Sequence, residues 1–312
     1  MNTPDNILQA CSILHSGGLV AIPTETVYGL AADARNPDAI AKIFAAKGRP
    51  STNPLIVHIA DIESLGDWAV SVPAIVLDLA KRFWPGPLTL ILKKRPDVLD
   101  IITGGQDTIG IRIPNHPLTL DLLKQFQGGL AAPSANRFGS ISPTTADAVQ
   151  EELGDAVDLI LDGGQCWIGL ESTILDLTGN HPTILRPGMI NAAQIESVLQ
   201  QSLGSASKLS PRVSGSCASH YAPRTQTQLV SEADWLAIIN NPLKEVGGIG
   251  FAGFSDNPNV IVLPNNPAEY AHSIYDSLRR LDNSKLQKIY IQIPPQSPEW
   301  LAIQDRLQRA AF

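Results

Sequence analysis

Short aliphatic runs and amphipathic helical stretches alternate over roughly the first two hundred residues, and this alternation most constrains the fold. Residues 19–22, 55–59, 88–92 and 109–113 read as strands, and 130–132, 159–161, 173–177 and 183–185 continue the set. Residues 38–47, 74–83, 118–126 and 144–153 read as helices, several with proline at or near the start. Such interleaving predicts an α/β domain around one large twisted sheet. Some neighbouring strands are too close in sequence for a helical crossover, so the sheet is expected to be mixed. A helix over about 191–203 gives way to Gly204-Ser205-Ala206-Ser207-Lys208-Leu209-Ser210-Pro211 and Ser214-Gly215-Ser216, small and polar without periodicity, which reads as a linker. A shorter α/β pattern follows Tyr221-Ala222-Pro223. Its strands are expected near 228–230, 249–254 and 288–293, with helices near 234–240, 269–281 and the C-terminus. The expected organisation is a larger α/β domain at 1–203, a linker at 204–225 and a smaller Rossmann-like α/β domain at 226–312.

The junction Lys47-Gly48-Arg49-Pro50-Ser51-Thr52-Asn53-Pro54 carries the chemistry. The helix before it is marked by Asn36 as N-cap, Pro37 at the first position, an Ile40/Ile43/Phe44 stripe and Gly48 as terminator. Lys47 follows Ile43 by four residues and so projects from the inward face. One reading is a lysine snorkelling at a helix end, where the macrodipole favours a cation. The other, drawn from Lys, Arg and Asn together before a strand, is a polyanion site suited to phosphate.

With 44% hydrophobic and 17% charged residues the composition supports a sizeable core. No apolar run approaches the ~18–20 residues of a membrane helix. The N-terminus lacks signal-peptide features, so a cytoplasmic location is expected. Cys11, Cys166 and Cys217 are scattered and odd in number, against a disulfide framework or zinc cluster. A net charge of −7 disfavours a broad nucleic-acid surface. Residues 42–95 nevertheless hold eight Lys or Arg against four Asp or Glu. That stretch reads either as a solvated face or as an anion funnel.

Gly248, Gly250 and Gly253 form a literal Gly-x-Gly-x-x-Gly, but turn residues follow where a dinucleotide site needs a helix. No P-loop, nucleophile elbow or metal-ligand histidine spacing is present, and His58 alone reads as a satisfied strand histidine. Ala132-Pro133-Ser134-Ala135-Asn136 leads to Ser142-Pro143-Thr144-Thr145, which reads as an N-cap with proline at the first helical position: an ordinary capped loop for Ser142 taken alone, or a natural anion seat at the free amides of the helix start. Gly169-Leu170-Glu171-Ser172-Thr173 and Arg186-Pro187-Gly188 place hydroxyls and an arginine at strand ends, as ligand crevices of open α/β sheets do.

Several of these segments together resemble a known family. Pro23-Thr24-Glu25-Thr26-Val27-Tyr28-Gly29-Leu30, Lys47-Gly48-Arg49 with Asn53-Pro54-Leu55, Pro133-Ser134-Ala135-Asn136 and Glu171-Ser172-Thr173 are similar to YrdC-type threonylcarbamoyl-AMP synthases. Trp84-Pro85-Gly86-Pro87-Leu88-Thr89 and Leu185-Arg186-Pro187-Gly188 agree, and His220-Tyr221-Ala222-Pro223 with Asp305-Arg306-Leu307 matches the longer, two-domain subtype. The departure lies in the linker, where Ser210-Pro211-Arg212-Val213 stands in place of Ser-Pro-Gly-Met.

The resemblance implies a YrdC-like domain and a nucleotidyltransferase reaction. ATP, L-threonine and bicarbonate would give threonylcarbamoyl-AMP and pyrophosphate, and a partner complex would pass the threonylcarbamoyl group to tRNA. It implies threonine near Thr26, His58, Arg112, the Ala132 backbone and Ser172. It implies ATP near Arg49, Asn53, Thr108, Ser134, Ser142, Arg186 and Tyr221, with Lys47 at the triphosphate and Lys47 and Arg49 as the catalytic cations. Magnesium is expected with ATP, without a resident metal site, and the linker is expected to close over the nucleotide. The alternative reading is a module for double-stranded RNA binding or ribosome maturation. Weak RNA binding beside the enzymatic role is compatible with the basic 42–95 stretch.

Overall fold

The structure, a computed structural model, describes residues 4–215, 220–240, 245–251 and 257–311. Nine strands build the first domain's sheet: β1 (Val20–Ile22), β2 (Gly29–Asp33), β3 (Ile56–His58), β4 (Leu88–Lys93), β5 (Thr108–Arg112), β6 (Leu130–Ala131), β7 (Leu159–Ile160), β8 (Thr173–Asp176) and β9 (Thr183–Arg186). Their order is β7-β1-β2-β6-β3-β5-β4-β8-β9. β1/β7, β3/β5 and β4/β8 are parallel and the other neighbours antiparallel, so the sheet is mixed as its short connections require. Around it lie α1 (Pro4–His15), α2 (Pro37–Lys47), α3 (Ala74–Phe83), the single turn α4 (Asp100–Thr103), α5 (Pro117–Phe126), α6 (Ala146–Leu153) and α7 (Ala192–Leu199).

Two elements of this domain escape the sequence pattern. β2 is alanine-rich and buried along most of its length, so it shows neither alternation nor β-branched residues. α1 buries Ile7, Ala10, Cys11 and Leu14, a helical face that was present in the sequence but lies within the first residues of the chain. The helix before the basic junction forms as expected. Asn36 caps α2 by accepting from the amides of Asp38 and Ala39, and Gly48 ends it at φ +60°, where a Cβ is disfavoured. The expected cap at Ser142 is corrected: α6 starts three to four residues later, with Thr145 accepting from the Ala148 amide.

The second domain is a parallel sheet in the order β10-β13-β11-β12. It comprises β10 (Gln226–Val230), α8 (Glu232–Asn240), β11 (Val246–Gly250), β12 (Val260–Val262), α9 (Pro267–Asp282), β13 (Lys288–Gln292) and α10 (Leu301–Ala310). β12 was not apparent in the sequence, and the strand expected at 249–254 begins and ends earlier. Two glycines of the apparent dinucleotide motif have a packing role. A Cβ on Gly248 or Gly250 would lie 2.6 Å or 2.2 Å from the Trp235 ring, which α8 lays flat on β11. Gly253 lies outside the described residues. The second core is continuous with the first domain and the linker, since Val27, Ile141, Leu170 and Tyr221 pack in the same cluster as Tyr270, Ile274, Tyr275 and Leu307.

Most of the local excess of cations is engaged within the fold, three of the eight by ion pairs. Lys42 donates to the Gly17 carbonyl, Lys47 and Arg49 are buried, and Lys93, Lys94 and Arg95 pair with Asp107, Asp100 and Asp97. Only Lys81 and Arg82 of the eight stand exposed without such a partner among the described residues. The three neutralising carboxylates fall just beyond residue 95, so the sequence window that suggested a basic surface stopped too early. Crowding β11 against Trp235 should be costly. Gly250→Ala is expected to destabilise the second domain by about 1–3 kcal/mol, as overpacking does. An unshifted calorimetric transition would contradict this packing role.

Candidate active site

Adjacent strands of the large sheet deliver side chains to one cavity. Thr24 and Thr26 precede β2, His58 ends β3, Arg112 ends β5, Ala132 and Ser134 follow β6, and Ser172 precedes β8. His58 and Arg112 are register partners in parallel strands, so both emerge at the same sheet edge. Glu171, Arg186, Ser214, Gly215, His220 and Tyr221 complete the wall. All five residues expected around threonine therefore meet at this cavity, together with Ser134, Arg186 and Tyr221 from the nucleotide set. The cavity is about 40 Å³. That is room for a few waters and far too little for an amino acid and a nucleotide.

Arg112 is held on three sides. Its Nε donates to the Gly86 carbonyl at 3.1 Å, Nη1 to Thr26 Oγ1 at 3.0 Å, and Nη2 lies 2.6 Å from Glu25 Oε1. Glu25, fully buried, is the partner that the sequence reading missed, although it sits inside a quoted motif. Thr24 Oγ1 meets Thr26 Oγ1 at 2.8 Å and takes the amides of Thr26 and Val27, which fixes the loop that presents Thr26. Burial and the neighbouring Arg112 guanidinium push the His58 imidazole down to about 3, so it is neutral at pH 7. Its Nδ1, the Tyr221 hydroxyl and His220 Nδ1 are buried without a hydrogen-bond partner.

Other expected residues sit outside the cavity wall. Lys47 Nζ donates at 2.6 Å to the carbonyls of both Ser134 and Asn136, so its ammonium braces the 133–136 loop from behind. Burial, with the charge of Arg49 close by, pushes that ammonium well below the usual lysine range. Arg49 donates to the Pro54 carbonyl and to Ser214 Oγ, which links the basic junction to the linker. Thr108 lines an adjoining cleft with Pro54, Gln106, Arg212 and Ser214, and Ile56 and Ser214 border both spaces. Asn53 stands at the loop's rim, outside both.

Arg186 spans Ser172 and the linker, donating from Nε and Nη2 to the Ser172 carbonyl and from Nη1 to the Ser214 carbonyl. Ser142 donates from Oγ to Glu171 Oε1 at 2.6 Å. Burial alone would raise the Glu171 carboxyl. The guanidinium groups of Arg306 and Arg186 and the Ser142 hydroxyl outweigh it and hold the group down at about 2. The linker is described up to Gly215 and from His220 onward, and both described ends face the cavity. Residues 216–219 of the expected linker lie outside the described residues.

Comparison with known proteins matches this architecture part by part. Residues 12–188 match the Sua5/YciO/YrdC family model, described as telomere recombination. Residues 190–312 match the model for the C-terminal domain of threonylcarbamoyl-AMP synthase. The chain belongs to the two-domain threonylcarbamoyl-AMP synthase family. It is 38% identical to the threonylcarbamoyl-AMP synthase of Pyrococcus abyssi over 97% of this chain and 93% of that protein. With the Bacillus subtilis enzyme of the same name it shares 40% identity over 98% and 92%. Among solved structures, P. abyssi Sua5 complexed with L-threonine superposes with a TM-score of 0.91 at 38% identity, covering 98% of this chain and 94% of that one. Escherichia coli YciO matches with a TM-score of 0.53 at 26% identity over 60% of this chain and 91% of its own.

Glu171 gives this family member a testable acid limb. A folded carboxyl near 2 against an ordinary 4.5 contributes stability that is present above about 4.5 and lost as pH falls toward 2. Glu171→Gln is expected to show a shallower fall in Tm across that window than the wild type. Parallel profiles would show that Glu171 is not ionised in the folded protein.

Proposed function

We propose that this family member forms threonylcarbamoyl-AMP from L-threonine, ATP and bicarbonate, releasing pyrophosphate, and is thus a nucleotidyltransferase. The observation that carries the reading is the convergence of Thr26, His58, Arg112, Ala132 and Ser172 on one cavity. The unpartnered buried polar atoms in its wall suit a polar ligand, since such atoms are otherwise rare. Arg112, held by Glu25 and Thr26, presents its guanidinium to the threonine carboxylate. Bicarbonate takes up a proton and loses water, breaking one carbon–oxygen bond, to give carbon dioxide; the amine attacks that carbon, forming a nitrogen–carbon bond and giving up a proton in return. A carbamate oxygen then attacks the α-phosphorus as the bond to the bridging oxygen breaks and pyrophosphate departs.

Such displacement needs alignment and charge neutralisation more than covalent catalysis. Arg49 and Arg186 supply the cations beside the cavity, and Lys47 holds the Ser134 loop on which the nucleotide rests. Thr108 and Asn53 serve the same nucleotide from the adjoining cleft. The cavity's polar groups are hydroxyls, guanidinium groups and imidazoles, with Glu171 already accepting from several donors. We therefore place magnesium on the ATP phosphates, as part of the substrate. Admission of both substrates requires the linker to move outward and then close, with Tyr221 over the nucleotide and water excluded from the labile adenylate. The adenylate then passes to a threonylcarbamoyl transferase acting on tRNA. The RNA-binding alternative has no support from the basic stretch, whose cations are mostly spent within the fold.

Pyrophosphate release is expected to require both threonine and bicarbonate, with serine weaker by about 1–3 kcal/mol for its missing methyl. Turnover with glycine equal to that with threonine would sink the assignment. Arg112→Ala should raise the threonine requirement, whereas Arg49→Ala should lower ATP-dependent turnover by on the order of 100-fold. Calorimetry showing the same ligand defect in both variants would refute this division of the site. Limited proteolysis tests the linker: saturating ATP and threonine should slow cleavage within 204–220, and unchanged cutting would leave it a plain tether.

A further inference from the structure

The second domain sends two side chains across the interface to the active-site wall. Tyr275 of α9 donates its hydroxyl to Glu171 Oε2 at 3.0 Å, and Arg306 of α10 donates from Nε to the same oxygen at 2.8 Å. Arg306 is 1% exposed. Its Nη2 donates to the Pro187 carbonyl at 3.0 Å, and its guanidinium carbon stands 5.1 Å from the centre of the Tyr221 ring. Asp305 takes Nη1 at 2.5 Å and so fixes the plane of the fork. Tyr221 in turn stacks on Tyr275, with ring centres 5.9 Å apart. The approach is close at backbone level too: a Cβ on Gly169, two residues before Glu171, would lie 2.4 Å from the Ala271 carbonyl of α9.

Arg306 thereby reaches two parts of the wall, the Glu171 carboxylate and the linker's Tyr221, and the Pro187 turn just after a third, Arg186. Its planar fork orients Glu171, whose other oxygen receives the Ser142 hydroxyl. A buried carboxylate without these donors would turn or take up a proton, and Ser142 would be released with it. The residues gathered this way, Ser142, Arg186 and Tyr221, belong to the nucleotide half of the site. Of the threonine half, Thr26 and Arg112 are set by Glu25 and the sheet edge instead, while Ser172 shares Arg186, which donates to its carbonyl and hydroxyl.

We infer that Arg306 is a positioning residue through which the second domain holds the nucleotide half of the active site in register. This rests on the nucleotidyltransferase reading above. It gives the second domain a role in catalysis: without it, Glu171 and Tyr221 lose the donor and the cation that orient them.

The test compares full-length Arg306→Met and Arg306→Lys with Arg279→Met. Arg279 also crosses the interface, pairing with Glu152 at 3.0 Å and the Ile141 carbonyl at 2.9 Å, but makes no contact with Glu171. It therefore reports on loosened docking, and on the segment leading into Ser142, without the link to Glu171 and Tyr221. Arg306→Met should lower kcat/KM for ATP by on the order of 100-fold, the effect of a displaced catalytic wall. Threonine affinity measured by calorimetry without ATP should stay within about 2-fold, because Arg112, the partner assigned to its carboxylate, is set by Glu25 and Thr26 and not by Arg306. Arg306→Lys, which keeps the charge but loses the fork, should recover only part of the loss, and Arg279→Met should stay close to wild type. Adding Glu171→Gln to Arg306→Met should cause little further loss, since both act on one unit. Equal losses for ATP and threonine, equal defects at Arg306 and Arg279, or multiplicative effects in the double variant would each overturn the inference. So would unchanged kinetics in Arg306→Met. If the wild type itself releases no pyrophosphate, the failure lies with the assigned reaction, and the threonine-binding comparison separates the two cases.

Discussion

A carboxylate removed from water needs donors on both oxygens, and Glu171 collects them from stretches of chain that are remote in sequence. Ser142 comes from the first domain, Tyr275 and Arg306 from the second. The same glutamate stands in the cavity wall, so the contacts that join the domains are also contacts that shape the site. Apolar packing supplies most of the docking area through Tyr270, Ile274, Tyr275 and Leu307 against Val27, Ile141 and Leu170. Such packing is non-directional and tolerates sliding. The charged hydrogen bonds at Glu171 are directional, and they fix how the two domains meet at the active site.

On the proposed function, an acidic protein that takes a highly charged nucleotide has to concentrate its cations. This chain does so by burial. Lys47, Arg49, Arg112 and Arg186 are all buried near the cavity, while surface Lys93, Lys94 and Arg95 are cancelled by neighbouring aspartates. In a low-dielectric wall a fixed guanidinium acts on a phosphate more strongly than an exposed one would. Each buried cation is also occupied by carbonyls, hydroxyls or a carboxylate, which holds its geometry before the substrate arrives.

The sequence revealed much of this and missed the rest for definable reasons. The mixed sheet, α2 with its Asn36 and Gly48 caps, and the smaller parallel domain followed from periodicity and turn chemistry. β2 was invisible because alanine carries little strand signal, even though it lies inside the motif that presents Thr26. The residues expected around threonine were legible as motifs and line one cavity, but their supports were not legible: no local pattern ties Glu25 to Arg112, and Arg306 lies 135 residues from Glu171. Ser142 was read as a helix cap because a proline followed it. The fold instead gives capping to Thr145 and turns the Ser142 hydroxyl to Glu171. Partners set by tertiary contact are beyond any reading of adjacent residues.

The proposed function implies a particular connectivity in the product. With Arg112 assigned to the threonine carboxylate, the amine side is left to become a carbamate, and the phosphorus would be attacked by a carbamate oxygen and not by the carboxylate. Incubation with ATP, threonine and isotopically labelled bicarbonate, followed by mass spectrometry of the adenylate, tests this directly. The account predicts an adenylate that carries the labelled carbon in stoichiometric amount. An unlabelled aminoacyl adenylate, formed at the same rate without bicarbonate, would contradict it.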